Sequence, residues 1–245
     1  MCRYCGDVVA ETLPRRSFLK LAGSAAMGLA VSRSGIAAPM KTPPKPQNLI
    51  SPHAALERLM KGNDRYVEGV SKRHDFQHER EALSTGQNPF AGILGCADSR
   101  VAPEYAFDTG RGDLFVCRIA GNFANEDTVA SFEYAVSALN TPLIMVLGHQ
   151  ACGAVDAAVQ SIRDGAALPG HLPALVAGLS PAVKAALGER GNTLDNAIRH
   201  NVALNVERLQ TATPILSKLV DEKKIRVVGA VYKLNSGRIE LLDRP

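Results

Sequence analysis

Between residues 90 and 163 the chain alternates short apolar runs with stretches of helical periodicity, and few folds accept that order. Apolar runs at 90–95, 114–119 and 143–148 are followed by helical segments at 103–107, 126–139 and 153–163. Strands linked through crossover helices form a parallel sheet with helices on both faces. The fold class expected is α/β, a parallel-core β-sheet flanked by helices. Such sheets bind ligands beyond the carboxyl ends of their strands. Two of the three runs end there in metal-ligating chemistry: the first stops at Cys96-Ala97-Asp98-Ser99-Arg100, the third at His149-Gln150-Ala151-Cys152-Gly153.

Two thiolates and one imidazole suit a single zinc ion and leave a fourth position for water or an exchangeable ligand. A structural zinc site commonly closes all four positions with Cys-x-x-Cys pairs, so three ligands beside an Asp and an Arg point to catalysis. Zinc lowers the pKa of a bound water from about 16 to about 7. Two thiolates cancel the ion's charge and weaken that acidity, so neighbouring donors and charges must help. Asp98 has two possible places. It can ligate the metal as a fourth protein ligand beside Cys96, His149 and Cys152. Alternatively it can swing away, pair with Arg100 through two parallel hydrogen bonds, and accept a hydrogen bond from the metal's water.

The remaining segments complete the domain. Ser51-Pro52 reads as an N-cap followed by a first-turn proline, opening a helix to about Glu68 with Leu56, Leu59, Met60, Tyr66 and Val67 at helical spacing. This arm can pack on a neighbour or on its own domain. His74, His78 and Glu79 lie in a polar stretch that reads as a solvated helix carrying Glu79, Arg80 and Glu81. Residues 172–187 are helical with a break at Ser180-Pro181. Residues 193–211 form a long amphipathic helix with Ala197, Val202, Leu204, Val206 and Leu209 as core and His200 on its polar face. A helix from Pro214, a strand at 225–234, a turn at Asn235-Ser236-Gly237 and a short strand at 238–242 end the chain. Cys117 reads as a small buried apolar residue. The domain spans 51–245, with no repeat and no second domain.

The formal charge of +4 is misleading. Residues 1–38 hold five basic and two acidic side chains, and without them 23 basic residues face 22 acidic ones. That balance gives no case for nucleic acid or for stable membrane association. Pro14-Arg15-Arg16-Ser17-Phe18-Leu19-Lys20, then an apolar run at 21–31 and small residues at Gly35, Ala37 and Ala38, resemble a twin-arginine signal peptide. Residues 1–38 are therefore expected to address the export machinery and the bacterial periplasm. Cys2 and Cys5 would be lost with them, and 39–50 forms a Pro- and Lys-rich linker.

Cys96-x-Asp98-Ser99-Arg100 and His149-x-x-Cys152-Gly153 resemble the two signature motifs of the β-class carbonic anhydrases. Gly112-Asp113-Leu114-Phe115-Val116, Arg118-Ile119-Ala120-Gly121-Asn122 and Gly229-Ala230-Val231-Tyr232 add to the likeness. The resemblance implies one zinc ion per chain held by Cys96, His149 and Cys152, a catalytic dyad of Asp98 and Arg100, and reversible hydration of carbon dioxide to bicarbonate by zinc-bound hydroxide. It also implies a homodimer or tetramer. Two alternatives use the same residues: hydrolysis of carbonyl sulfide or carbon disulfide, and a non-catalytic zinc- and bicarbonate-binding protein. The glutamine that some members place before the second core strand is absent, since that place reads Thr109-Gly110-Arg111-Gly112. The Trp of the bicarbonate-inhibited bacterial members is also absent.

Overall fold

A computed structural model of the chain describes residues 50–242. The signal segment expected at 1–38 and all of the linker except Ile50 lie outside the described residues.

Five strands form one sheet in the order β2-β1-β3-β4-β5: β1 (Ala91–Gly95), β2 (Leu114–Arg118), β3 (Leu143–His149), β4 (Arg226–Tyr232) and β5 (Ile239–Leu241). The first four are parallel, and β5 returns antiparallel to β4 through the turn after Lys233. Every residue of β1 and β3 is buried, which is why those strands read as unbroken apolar runs. Side chains alternate across the sheet. Leu94, Ile144 and Val146 face one core with α4 (Glu126–Ala138), α5 (Gly153–Asp164), α6 (Leu172–Ala186), α7 (Thr193–Thr211) and α8 (Leu216–Asp221). Ile93, Met145 and Leu147 face the other, with α1 (Pro52–Val67) and α3 (Pro103–Ala106). A short helix, α2 (Phe76–Leu83), precedes the sheet.

Local signals explain where the helices begin. The Ser51 side chain accepts from the Ala54 N–H at 3.2 Å and Pro52 occupies the first turn of α1. Asn125 and Thr128 form a reciprocal capping box at the start of α4. The arm helix α1 packs on its own domain. Gly62 lets it meet the end of α3, because a Cβ there would lie 1.9 Å from the Phe107 carbonyl oxygen. Asn63, 1% exposed, completes the junction: its Nδ2 donates to Ala106 O and Gly237 O, and its Oδ1 accepts from the Ile239 N–H.

Two expectations are corrected. α6 runs through Ser180-Pro181 without a break. A mid-helix proline costs roughly 3 kcal/mol, but Pro181 faces solvent while Leu179, Ala182, Val183 and Ala186 are buried beside it. Burial of those side chains, at about 1.5–3 kcal/mol for each Leu or Val, holds the helix together. On α7 the buried face runs through Ala197, Ile198, Asn201, Val202, Asn205 and Leu209, while Leu204 is exposed and Val206 only half-buried. Two core positions of this helix are therefore asparagines.

Candidate metal centre

Strand register brings the ligand residues together. Gly95 pairs with Arg118 on one side and Leu147 on the other, and His149 pairs with Tyr232, so the carboxyl ends of β1 to β4 lie along one edge of the sheet. Cys96 follows β1, His149 ends β3, and Cys152 is the N-cap residue of α5. Their ligand atoms all lie within 4.8 Å of one another, with the two sulfurs 3.9 Å apart. All three residues are buried.

The imidazole shows what the site is built to hold. His149 Nδ1 lies 2.9 Å from the Gln150 carbonyl oxygen, which can only accept, so the proton sits on Nδ1. Nε2 then presents a lone pair, and it is fully buried without a hydrogen-bond partner. A lone pair facing two sulfurs in a closed pocket fits a thiophilic cation such as zinc. The two thiols behave as one acid. The hydrogen bond from Cys152 draws the Cys96 thiol pKa down, against the effect of burial and with help from His149 and the Gly121 N–H. Cys152 moves up through the same hydrogen bond and its own burial. Burial disfavours the His149 imidazolium, but the neighbouring Cys96 sulfur raises its pKa overall.

Asp98 stands outside this group of three and is paired with Arg100. Arg100 grips its carboxylate with Nε on Oδ1 at 2.9 Å and Nη2 on Oδ2 at 2.7 Å, and the Arg100 N–H adds a third bond at 2.9 Å. Arg100 is itself tied to the Ala151 carbonyl at 3.2 Å, which joins the two motif loops. The Arg100 hydrogen bond holds the Asp98 carboxyl well below the usual carboxylate range. Asp98 Oδ2 remains 3.8 Å from His149 Nε2, so the ionised carboxylate borders the metal pocket.

Residues with no individual role in the sequence reading support this arrangement. Arg118, at the end of β2, donates to the carbonyls of Cys96 at 2.8 Å, Asp98 at 2.6 Å and Val101 at 3.0 Å, bracing the first motif loop. The Gly121 N–H donates to Cys96 Sγ at 3.3 Å. Gly121 has φ +82°, and a Cβ there would lie 2.8 Å from a methyl carbon of Leu179, so both backbone and space require glycine.

Other candidates lie elsewhere. His74 Nδ1 is 3.2 Å from Glu79 Oε1, and Glu79 also accepts from Arg111 Nε, while the His78 side chain lies outside those described. His200 pairs with Glu189 at 2.9 Å. Cys117 is half-buried, and burial raises its thiol pKa. A groove of about 590 Å³ between α7 and β4–β5 is lined by none of the ligand or dyad residues.

Comparison with known proteins agrees with the geometry. Residues 91–239 match the family model described as carbonic anhydrase. Carbonic anhydrase 2 of Mycobacterium tuberculosis is 40% identical over 195 residues, covering 79% of this chain and 94% of that protein. The carbonic anhydrase of Mycolicibacterium smegmatis is 37% identical over 194 residues, covering 78% and 93%. Among solved structures, the β-carbonic anhydrase CcaA superposes with a TM-score of 0.60 at 27% identity, covering 77% of this chain and 95% of that one. A tetrameric β-carbonic anhydrase from Sordaria macrospora gives 0.60 at 26% identity, covering 78% and 95%. The signature loops lie within the matched region, at the sheet edge where the metal-ligand group is found. The chain belongs to the carbonic anhydrase family, in its β class.

Proposed function

We propose that this protein is a zinc-dependent enzyme that hydrates carbon dioxide reversibly to bicarbonate and a proton. The observation that carries the proposal is the buried, unpartnered His149 Nε2 facing two cysteine sulfurs, with an ionised carboxylate 3.8 Å away. Cys96, His149 and Cys152 would hold the ion, which when bound supplies an acidified water as nucleophile.

The chain's own groups do the rest. The Gln150 carbonyl fixes the His149 tautomer so that Nε2 faces inward. Asp98, kept ionised by Arg100, can only accept hydrogen bonds, so it orients a donor in the pocket and does not give up a proton itself. Arg100, anchored on Ala151, and Arg118, anchored on the first loop, keep that carboxylate from drifting.

The Sordaria relative is described as tetrameric, and among the described residues β2 leaves its outer edge unpaired with three half-buried residues, which supports assembly as a homodimer or tetramer. No described helix is long and apolar enough to cross a membrane. Arg15-Arg16 and the apolar run after them support export to the periplasm, and sequencing the mature N-terminus checks this. For the enzyme itself, Cys96→Ser is expected to lose bound zinc and turnover together. A Cys96→Ser protein with stoichiometric zinc and full turnover contradicts the assignment.

A further inference from the structure

The two asparagines in the core face of α7 need an account. Asn201 is 1% exposed and Asn205 is 6% exposed, one helical turn apart and surrounded by apolar packing. Burying an amide there is unfavourable unless its groups are bonded. Their bonds all run inward, to each other and to one loop. Asn201 Nδ2 donates to the Gly121 carbonyl at 2.8 Å. Asn205 Oδ1 accepts from the Ala124 N–H at 2.7 Å. Asn205 Nδ2 donates to Asn201 Oδ1 at 3.0 Å and to the Asn201 carbonyl at 2.7 Å, locking the pair.

The loop they grip carries the Gly121 N–H, which donates to the Cys96 sulfur. Gly121 lies in the left-handed region, and Leu179 closes the space beside it. We propose that Asn201 and Asn205 are positioning residues for the metal centre: the pair holds residues 121–124 so that the Gly121 N–H stays on the Cys96 sulfur. Such a hydrogen bond withdraws electron density from a metal-bound thiolate, so the sulfur donates less to the ion and leaves it a stronger Lewis acid. In a site with two thiolates this restores part of the acidity that their charge removes. The inference rests on Cys96 being a metal ligand.

The test compares Asn201→Ala, Asn205→Ala and a control, Leu209→Ala, which empties a fully buried position on the same helix without touching the loop bonds. Each full-length protein is loaded with Co(II), and the sulfur-to-cobalt charge-transfer absorption is recorded. Zinc affinity is measured by competition with a chelator. The absorption is expected to move to longer wavelength in both asparagine variants, with zinc affinity down about tenfold because the loop no longer orients the Cys96 sulfur, while Leu209→Ala matches the wild type in both. Asparagine variants that keep the wild-type absorption, or a control that shifts equally, overturn the proposal. If Asn201→Ala does not fold, Asn205→Ala decides the question by the same two readouts. Wild-type protein that binds Co(II) without sulfur-to-cobalt absorption overturns the metal assignment itself, an outcome distinct from an unshifted variant.

Discussion

Replacing Gly121 with alanine tests whether the loop over Cys96 is built as tightly as the geometry indicates. The added Cβ meets Leu179 three times, at 2.8, 3.0 and 3.3 Å from its two methyl carbons and Cγ. Leu179, on α6, is fully buried in the core, so its side chain cannot turn toward solvent. The φ of +82° adds strain that any L-residue bears. The left-handed conformation costs about 1–2 kcal/mol and overpacking about 1–3 kcal/mol, for a total of about 2–5 kcal/mol. For a domain of this size each kcal/mol lowers Tm by about 2–4 °C, so a loss of roughly 4–20 °C is expected. Urea and thermal unfolding should be run on metal-free protein at one fixed concentration, because a bound ion or partner adds its own stabilisation. Gly121→Ala within about 0.5 kcal/mol of wild type would refute the reasoning, since it would mean that the loop relaxes freely.

Further outcomes follow from other contacts. Asp98→Asn is expected to keep the metal and lower turnover about 100-fold, measured by metal analysis and stopped-flow hydration; full turnover at neutral pH contradicts the dyad. The depressed Asp98 pKa also has a signed consequence: its contribution to stability is complete above the unfolded value of about 3.9 and is lost as pH falls through the lower folded value. The stability gap between wild type and Asp98→Asn therefore narrows under acid unfolding below about pH 4, and a gap that widens there contradicts the pairing with Arg100. Asn63→Ala leaves Ala106 O, Gly237 O and the Ile239 N–H without their side-chain partner, so urea unfolding should show a loss of about 3 kcal/mol or more. Burial raises the Cys117 thiol pKa, so at about pH 8 it should react with a maleimide more slowly than a free cysteine does, and equal rates contradict its burial.

The sheet and the grouping of Cys96, His149 and Cys152 were legible because they depend on local pattern. Buried parallel strands appear as apolar runs, and the motif loops fall at their ends by connectivity alone. What was not legible depends on tertiary partners. Pro181 reads as a helix break until the burial of its neighbours is known. On α7, ranking by apolarity selects Leu204, whereas the four-residue spacing through Ala197, Asn201, Asn205 and Leu209 marks the buried face. That spacing was the available signal for the asparagine pair. The choice between the two places for Asp98 depends on side-chain orientation, which no sequence pattern encodes. Arg118 lay within a recognised motif, but its grip on three carbonyls follows only from the close approach of β2 to the first loop.

The most direct test of the central claim is stopped-flow carbon dioxide hydration by the zinc-loaded protein at about pH 7 and about pH 8.5, with metal content measured on the same sample. One zinc ion per chain and rapid hydration at both values are expected, because Asp98 stays ionised and paired with Arg100 across that range. Protein that holds its zinc and hydrates no carbon dioxide at either value contradicts the account.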